Sequence, residues 1–211
     1  MKLDRKDLLL YLVTDRSWLS GAALSDQVAC AIDHGATCIQ LREKQLGDAE
    51  FLASAREIGA ICRAKHVPFL VNDNVEVALA SGADGVHVGQ SDMAACDVRA
   101  LLGPDKILGV SAQTVAQAQA AEAAGADYLG VGAVFGTTTK QDAREVSPDT
   151  LRAICSSVRI PVVAIGGISQ KNILSLAHSG IAGVSVISAI LASDDIAQAA
   201  RTMRTLAEQV I

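Results

Sequence analysis

Four glycine-led stretches recur along this chain: Gly35-Ala36-Thr37, Gly82-Ala83-Asp84, Gly125-Ala126-Asp127 and Gly180-Ile181-Ala182, lying 47, 43 and 55 residues apart. Each stands just before a short apolar run, and the interval suits a pair of βα units. The full series of strand candidates, apolar for most of their length, is 8–13, 38–44, 69–71, 85–88, 107–110, 128–135, 161–165 and 183–187. Runs this short, bounded by glycine, proline or polar residues, read as buried strands. Helical spacing follows each one, over 24–33, 48–65, 75–81, 93–102, 115–124, 148 to about 156, 172–178, and from Ser193-Asp194-Asp195 to the end. Local signals agree with these bounds. Thr114-x-x-Gln117 fits a capping box, and Ser147-Pro148 an N-cap followed by proline at the first helical position. Gly35 is placed as a helix C-terminal cap, and Pro68 opens a strand, where proline is tolerated.

Nearly all-apolar strands alternating with helices imply a parallel sheet covered by helices on its outer face. Eight βα units within 211 residues fit a single (β/α)8 TIM barrel spanning 1–211, with no linker or second domain. An open doubly wound sheet is the alternative, but no G-x-G-x-x-G follows the first strand. A hydrophobic content of 50% is ample for a sizeable core, while a 3% aromatic content and 17 glycines suit close packing of small residues. A net charge of −5 argues against a nucleic-acid scaffold or an anionic membrane partner. Small-molecule substrates are the partners expected, and a homo-oligomer is left open. The five cysteines never form C-x-x-C and read as small hydrophobes in a reducing compartment. The four histidines lack metal-ligand spacing and read as satisfied structural residues. The apolar run 8–13 is too short for a signal peptide or a membrane span, so a soluble cytoplasmic protein is expected.

In a barrel the active site forms at the carboxyl ends of the strands. Those ends carry Gln40/Arg42/Lys44, Asn72-Asp73, Asp92, Ser111, Thr137/Thr139/Lys140, Gly166-Gly167 and Ile187-Ser188, whereas the opposite ends carry mainly Gly, Ala and Pro. If the second strand runs to Lys44, Gln40, Arg42 and Lys44 share one face and Leu41 takes the other. Arg42, Lys44 and Lys140 are cationic donors suited to a multiply charged anion. Asp73 and Asp92 read equally as carboxylates for Mg²⁺ beside a phosphate or as turn and helix-cap residues. Gly166-Gly167 and Ser188 close strands seven and eight, where barrels often cradle a phosphate, although glycines there also make tight turns. Ser111 could serve a ligand or its own turn. The connection 136–146 is the longest without an apolar pattern and reads as a lid. Two anionic centres emerge, one near strands two to four with a metal and one near strands seven and eight without.

QLREK (40–44), VND (71–73), GADGVHVGQSD (82–92), GVSAQT (109–114), GADYLGVGAVFGTTTK (125–140), PVVAIGGI (161–168) and GVSVISAI (183–190) together resemble the thiamine-phosphate synthase family, in order and over nearly the whole chain. The resemblance implies that Gln40, Arg42, Lys44, Asn72, Ser111 and Lys140 hold a hydroxymethylpyrimidine diphosphate. It implies Mg²⁺ on Asp73 and Asp92, and a hydroxyethylthiazole phosphate on Thr137, Thr139, Gly167, Ile187 and Ser188. The QLREK and TTTK stretches count whole as substrate-binding, Leu41, Glu43 and Thr138 included, with Arg42, Lys44, Ser111 and Lys140 as the catalytic groups. Three positions depart from the family: Ser91 stands where Glu is frequent, Gly136 where Pro is usual, and Gln113 where His is frequent. The implied reaction joins the thiazole nitrogen to the pyrimidine methylene and releases pyrophosphate. Two other readings are a thiazole tautomerase, which would need an acid/base residue near Gln113, and a catalytically silent binder of thiamine phosphate. The diphosphate and metal groups argue against both.

Overall fold

The apolar runs pair in parallel and in chain order, and the eighth closes on the first. The computed structural model describes residues 3–19, 21–136 and 145–211. Among these, β1 (Leu10–Val13), β2 (Cys38–Leu41), β3 (Phe69–Asn72), β4 (Gly85–Val88), β5 (Ile107–Ala112), β6 (Tyr128–Val131), β7 (Val162–Ile165) and β8 (Gly183–Val186) form a closed barrel. Leu10 stands opposite Val184 and Leu12 opposite Val186, which removes the edges an open doubly wound sheet would have. The helices α1 (Leu24–Asp33), α2 (Asp48–Ala64), α3 (Val75–Ser81), α4 (Ala95–Leu102), α5 (Val115–Ala123), α6 (Pro148–Ser157), α7 (Ser188–Leu191) and α8 (Ile196–Glu208) supply the outer layer. A 3-10 turn, Arg5–Leu8, precedes β1, and its Arg5 donates to the Ile181 carbonyl at 2.8 Å. Most strand side chains are apolar and buried, so backbone pairing and apolar burial together define the ring.

Most strand residues are buried, yet they divide by parity between two cores. Leu10, Leu12, Ile39, Leu41, Val71 and Leu108 pack outward, in one cluster with the helices. Tyr11, Val13, Cys38, Leu70, Ile107, Tyr128 and Val163 fill the barrel, with Leu8 among them. Four glycines, Gly85, Gly109, Gly130 and Gly183, occupy inward positions in this register. A Cβ on Gly109 would stand 2.2 Å from Tyr128 Cζ, and one on Gly130 would stand 2.9 Å from His87 Cε1. Glycine is required at both because the rings occupy the space.

Helix termini follow the local signals. Asn74 caps α3, accepting from Val77 N, and Gly82 ends it at φ +74°. Ser147 caps α6 by accepting from Thr150 N at 3.1 Å, with Pro148 in the first turn. Thr114 accepts from Gln117 N at 3.2 Å, but the Gln117 side chain returns to Gln113 N at 2.8 Å, one residue earlier than a capping box demands.

Several boundaries depart from the sequence reading, β1 opening at Leu10 and β5 running on to Ala112 among them. β2 ends at Leu41, so Arg42 and Lys44 stand beyond the strand and its alternation does not orient them. β6 ends at Val131, although Val134 N and Phe135 N still donate to Ile165 and Gly166 carbonyls at 3.0 and 3.2 Å. The α4 helix starts at Ala95 behind Ala94, so Asp92 does not cap it. Residues 172–178 do not make an α-helix; the 3-10 turn Ile173–Leu176 buries Ile173 and Leu176, three apart, as three residues per turn permits. The lid read over 136–146 falls mostly outside the described residues.

Leu41 is completely buried in the outer core, so Leu41→Ala is expected to destabilise the barrel by about 2–5 kcal/mol. A urea midpoint unchanged from the parent would place Leu41 elsewhere. Gly109→Ala is expected to cost more than an Ala substitution at exposed Gly47, whose φ is −69° and whose Cβ would meet nothing within 4 Å, because the neighbour struck at Gly109 is a locked ring with its hydroxyl engaged. Thermal midpoints of the two variants decide the matter; equal shifts would contradict it.

Candidate active site

A closed parallel barrel brings every strand's carboxyl end to one mouth. Each expected site residue that is described stands at or just past such an end, with Asp73 and Asp92 in the loops after β3 and β4 and Ser111 at the end of β5. Thr137, Thr138, Thr139 and Lys140 lie outside the described residues.

The first two loops are cross-braced. Thr14, fully buried, accepts from Arg42 N at 3.0 Å, and its own N–H donates to the Gln40 carbonyl at 2.9 Å. Arg42 Nη1 then meets Asp15 Oδ2 at 3.1 Å, and Arg16 Nε meets Glu43 Oε1 at 2.7 Å. Arg16 also reaches Ser54 Oγ on α2 at 3.2 Å. Burial pushes the Asp15 carboxyl up, but hydrogen bonds from Ser17 and the charges of Arg42 and Lys44 outweigh it and leave its pKa below the usual value. Burial raises that of Glu43, with Arg16 opposing. Two expectations are corrected here. The Leu41 side chain is wholly inside the outer core, and that of Glu43 is 2% exposed and tied to Arg16, so neither side chain lines the mouth. Sequence reading also missed Thr14, Asp15 and Arg16, because a cross-loop ion pair leaves no signature in local spacing.

Beneath the mouth, five polar side chains form a continuous chain through the barrel. Gln40 Nε2 donates to Tyr11 Oη at 2.6 Å; the Tyr11 and Tyr128 hydroxyls meet at 2.8 Å. Tyr128 Oη lies 2.8 Å from His87 Nδ1, and His87 Nε2 lies 2.9 Å from Ser111 Oγ. Gln40, at 4% exposure, is a wall of the floor rather than an open group at the mouth. His87 bears out the reading of a satisfied structural histidine, but the residue it satisfies is Ser111. Gln90 Nε2 donates to the Ser111 carbonyl at 2.7 Å, and Gln113 Nε2 to the Gly132 carbonyl at 3.2 Å, so neighbouring loops hold both sides of the β5 end. Tyr11, Tyr128 and His87 were legible as polar residues within apolar strands, a signal passed over because each is also a plausible core residue.

Asp73 and Asp92 come from adjacent loops. Asp73 has φ +62°, its N–H donates to the His87 carbonyl at 2.8 Å, and its Oδ2 accepts from Asn72 Nδ2 at 2.5 Å. Asp92 Oδ2 accepts from Gly89 N at 2.6 Å. The helix-cap alternative is therefore filled by neither: Asn74 caps α3, and Ala94 precedes α4. Among the described residues no three His, Cys, Asp or Glu side chains are grouped to hold a metal. Two exposed carboxylates do fit Mg²⁺, which takes one or two from protein and the rest from water and substrate oxygens. Across the mouth, a Cβ on Gly167 (φ +63°) would stand 2.4 Å from the Gly136 carbonyl, so this glycine lets the loop after β6 approach β7. Ile187 is half-buried and Ser188, exposed, opens the short α7. Among the described residues no helix is long and apolar enough to cross a membrane.

With this geometry in view, comparison with known proteins is specific. The family model for thiamine monophosphate synthase matches residues 10–190. A thiamine-phosphate synthase of Ruminiclostridium cellulolyticum is 48% identical over 197 residues, covering 93% of this chain and 94% of that one. One from Clostridium tetani is 47% identical over 193 residues, covering 92% of each. The solved thiamine phosphate pyrophosphorylase from Pyrococcus furiosus superposes with a TM-score of 0.90 at 38% identity, covering 98% of both chains. A family model spanning most of the barrel, and relatives this similar over their whole length, lead to one conclusion: the chain belongs to the thiamine monophosphate synthase family.

Proposed function

We propose that this chain couples hydroxymethylpyrimidine diphosphate to hydroxyethylthiazole phosphate, giving thiamine phosphate and pyrophosphate. The observation that carries the reading is the convergence of Arg42, Asn72, Asp73, Asp92 and Ser111 at one barrel mouth, where Arg42 is held by Asp15 and Ser111 by His87 from neighbouring elements, Asn72 bonds Asp73, and Asp92 bonds Gly89 within its own loop. The thiazole nitrogen supplies an electron pair to the pyrimidine methylene, the carbon–oxygen bond to the diphosphate breaks, and that pair leaves with pyrophosphate. The attacking nitrogen carries no proton, so no strong general base is needed. The work left to the protein is orientation, stabilisation of the departing charge and exclusion of water.

Arg42, Lys44 and Lys140 serve the diphosphate, Gln40, Asn72 and Ser111 its orientation, and Thr137, Thr139, Gly167, Ile187 and Ser188 the thiazole phosphate. Arg42 is half neutralised by Asp15, so the positive charge available to a diphosphate is smaller than a count of cations suggests. Two further carboxylates in the adjacent loops would oppose an anionic ligand, which favours a metal there. Asp73 and Asp92 would hold Mg²⁺, which when bound supplies Lewis-acid stabilisation of phosphate oxygens. A tautomerase has less use for such a pair, and nothing at the Gln113 position offers the acid or base it needs; Gln113 is engaged with Gln117 and Gly132.

Incubating the purified chain with both substrates and Mg²⁺ is expected to release pyrophosphate and thiamine phosphate in equal amounts. Rearrangement of a thiazole alone, or binding without turnover, would overturn the reading. Asp73→Asn and Asp92→Asn are each expected to slow turnover by about 10²-fold, the usual loss for one electrostatic stabiliser. EDTA should stop the parent and added Mg²⁺ restore it; full activity in EDTA would remove the metal from the account. Arg42→Ala is expected to raise KM for the diphosphate while leaving KM for the thiazole phosphate near its parent value, and a reversed pattern would reassign Arg42.

A further inference from the structure

The barrel interior could have been filled with apolar side chains throughout, like its inward Val13, Leu70, Ile107 and Val163. Buried hydroxyls and an imidazole are costly there unless each is hydrogen-bonded. Instead, Gly109 leaves room for the Tyr128 ring and Gly130 for that of His87, and the polar atoms of Tyr11, Tyr128 and His87 lie in one line between Gln40 and Ser111. The rings pack edge to face, with the Tyr11 and Tyr128 centroids 5.9 Å apart. One end of the line, Ser111, stands at the mouth and the other, Gln40, is a buried wall of its floor, while the middle is inaccessible to substrate.

Proton counting sets its direction. The Gln40 amide donates into Tyr11 Oη, and we assign the Tyr11 proton to Tyr128 Oη, a contact in which either hydroxyl can donate, so that each hydroxyl of the line gives its proton to the next. The Tyr128 proton then goes to His87 Nδ1, which leaves the imidazole proton on Nε2, facing Ser111 Oγ. Burial raises the pKa of both phenols well above the ordinary tyrosine value, so each keeps its proton. Ser111, already accepting from His87, must place its own proton elsewhere. We propose that Tyr11, Tyr128 and His87 are positioning residues that act through Ser111, a one-way hydrogen-bond chain obliging its hydroxyl to donate to an acceptor atom of the bound pyrimidine diphosphate. The inference rests on the substrate reading given above. It explains why a polar line is retained through a core whose volume apolar residues could fill: it converts an ambivalent hydroxyl into a fixed donor, pre-oriented before substrate arrives.

The test is a double-mutant cycle. Tyr128→Phe keeps the ring but breaks the line between Tyr11 and His87, and is expected to lower kcat about 10-fold or more, the usual loss for a supporting hydrogen bond. In the Ser111→Ala background the same change is expected to cost less than about twofold, because the group it acts through is gone. An equal loss in both backgrounds, or no loss in the first, would overturn the proposal. Nitrogen NMR of histidine-labelled parent protein is the second measurement and needs neither turnover nor a variant that folds. A neutral His87 protonated on Nε2 supports the chain, and one protonated on Nδ1 reverses its direction and overturns it. If the parent makes no thiamine phosphate, the substrate reading fails, and the tautomer still decides the direction of the line.

Discussion

Two tyrosine hydroxyls meet at 2.8 Å in the middle of a barrel otherwise packed with aliphatic side chains. The rest of the interior is arranged to allow that contact. The rings need volume, so inward positions on β5 and β6 are glycine: a methyl at Gly109 would strike Tyr128 itself, and one at Gly130 would crowd His87. The hydroxyls need partners on both sides, so Gln40 stands at one end and His87 with Ser111 at the other. An unpaired buried polar group costs about 1–3 kcal/mol. Removing any one link therefore strands its neighbours, and the line is retained or lost as a unit.

The mouth inherits its rigidity from this floor and from the braces between loops. Ser111 is fixed at its hydroxyl by His87 and at its carbonyl by Gln90. Arg42 is fixed at its backbone by Thr14 and at its guanidinium by Asp15. These side chains belong to strand ends or to the first residues beyond them, where the ladder still limits motion, which suits a reaction that asks for orientation and charge rather than proton transfer. The exposed carboxylates Asp73 and Asp92 sit beside this braced region, Asp73 bonded through its N–H to the His87 carbonyl of β4 and Asp92 through its side chain to Gly89 N just past that strand.

Much of the fold was legible in the sequence. α3 matched to the residue because a capping asparagine and a left-handed glycine flank it. Strand lengths were less legible: β2 and β6 stop earlier than their apolar runs, since residues past Val131 keep hydrogen bonds to β7 without completing the ladder. Parity was hidden for a physical reason. A strand buried on both faces has no apolar–polar alternation, so Leu12 and Tyr11 look alike although one faces helices and the other the interior. The candidate site was visible where polar or charged residues follow apolar runs, at Arg42, Asp73, Asp92 and Ser111. It was invisible where function rests on contacts between distant residues, as for Tyr11 with Tyr128, Asp15 with Arg42, and Glu43, which turned out to serve Arg16.

The central claim is that a preformed interior aims Ser111 at the pyrimidine diphosphate while the carboxylates beside it take the metal. A crystal structure of the chain with Mg²⁺ and an unreactive diphosphate analogue of the pyrimidine tests this most directly. The account predicts Ser111 Oγ within about 2.7–3.1 Å of a ligand acceptor. It also predicts His87 Nε2 still bonded to that hydroxyl, and Asp73 and Asp92 both in the metal shell. A ligand seated with Ser111 turned away from it, or a metal held without either aspartate, would contradict it.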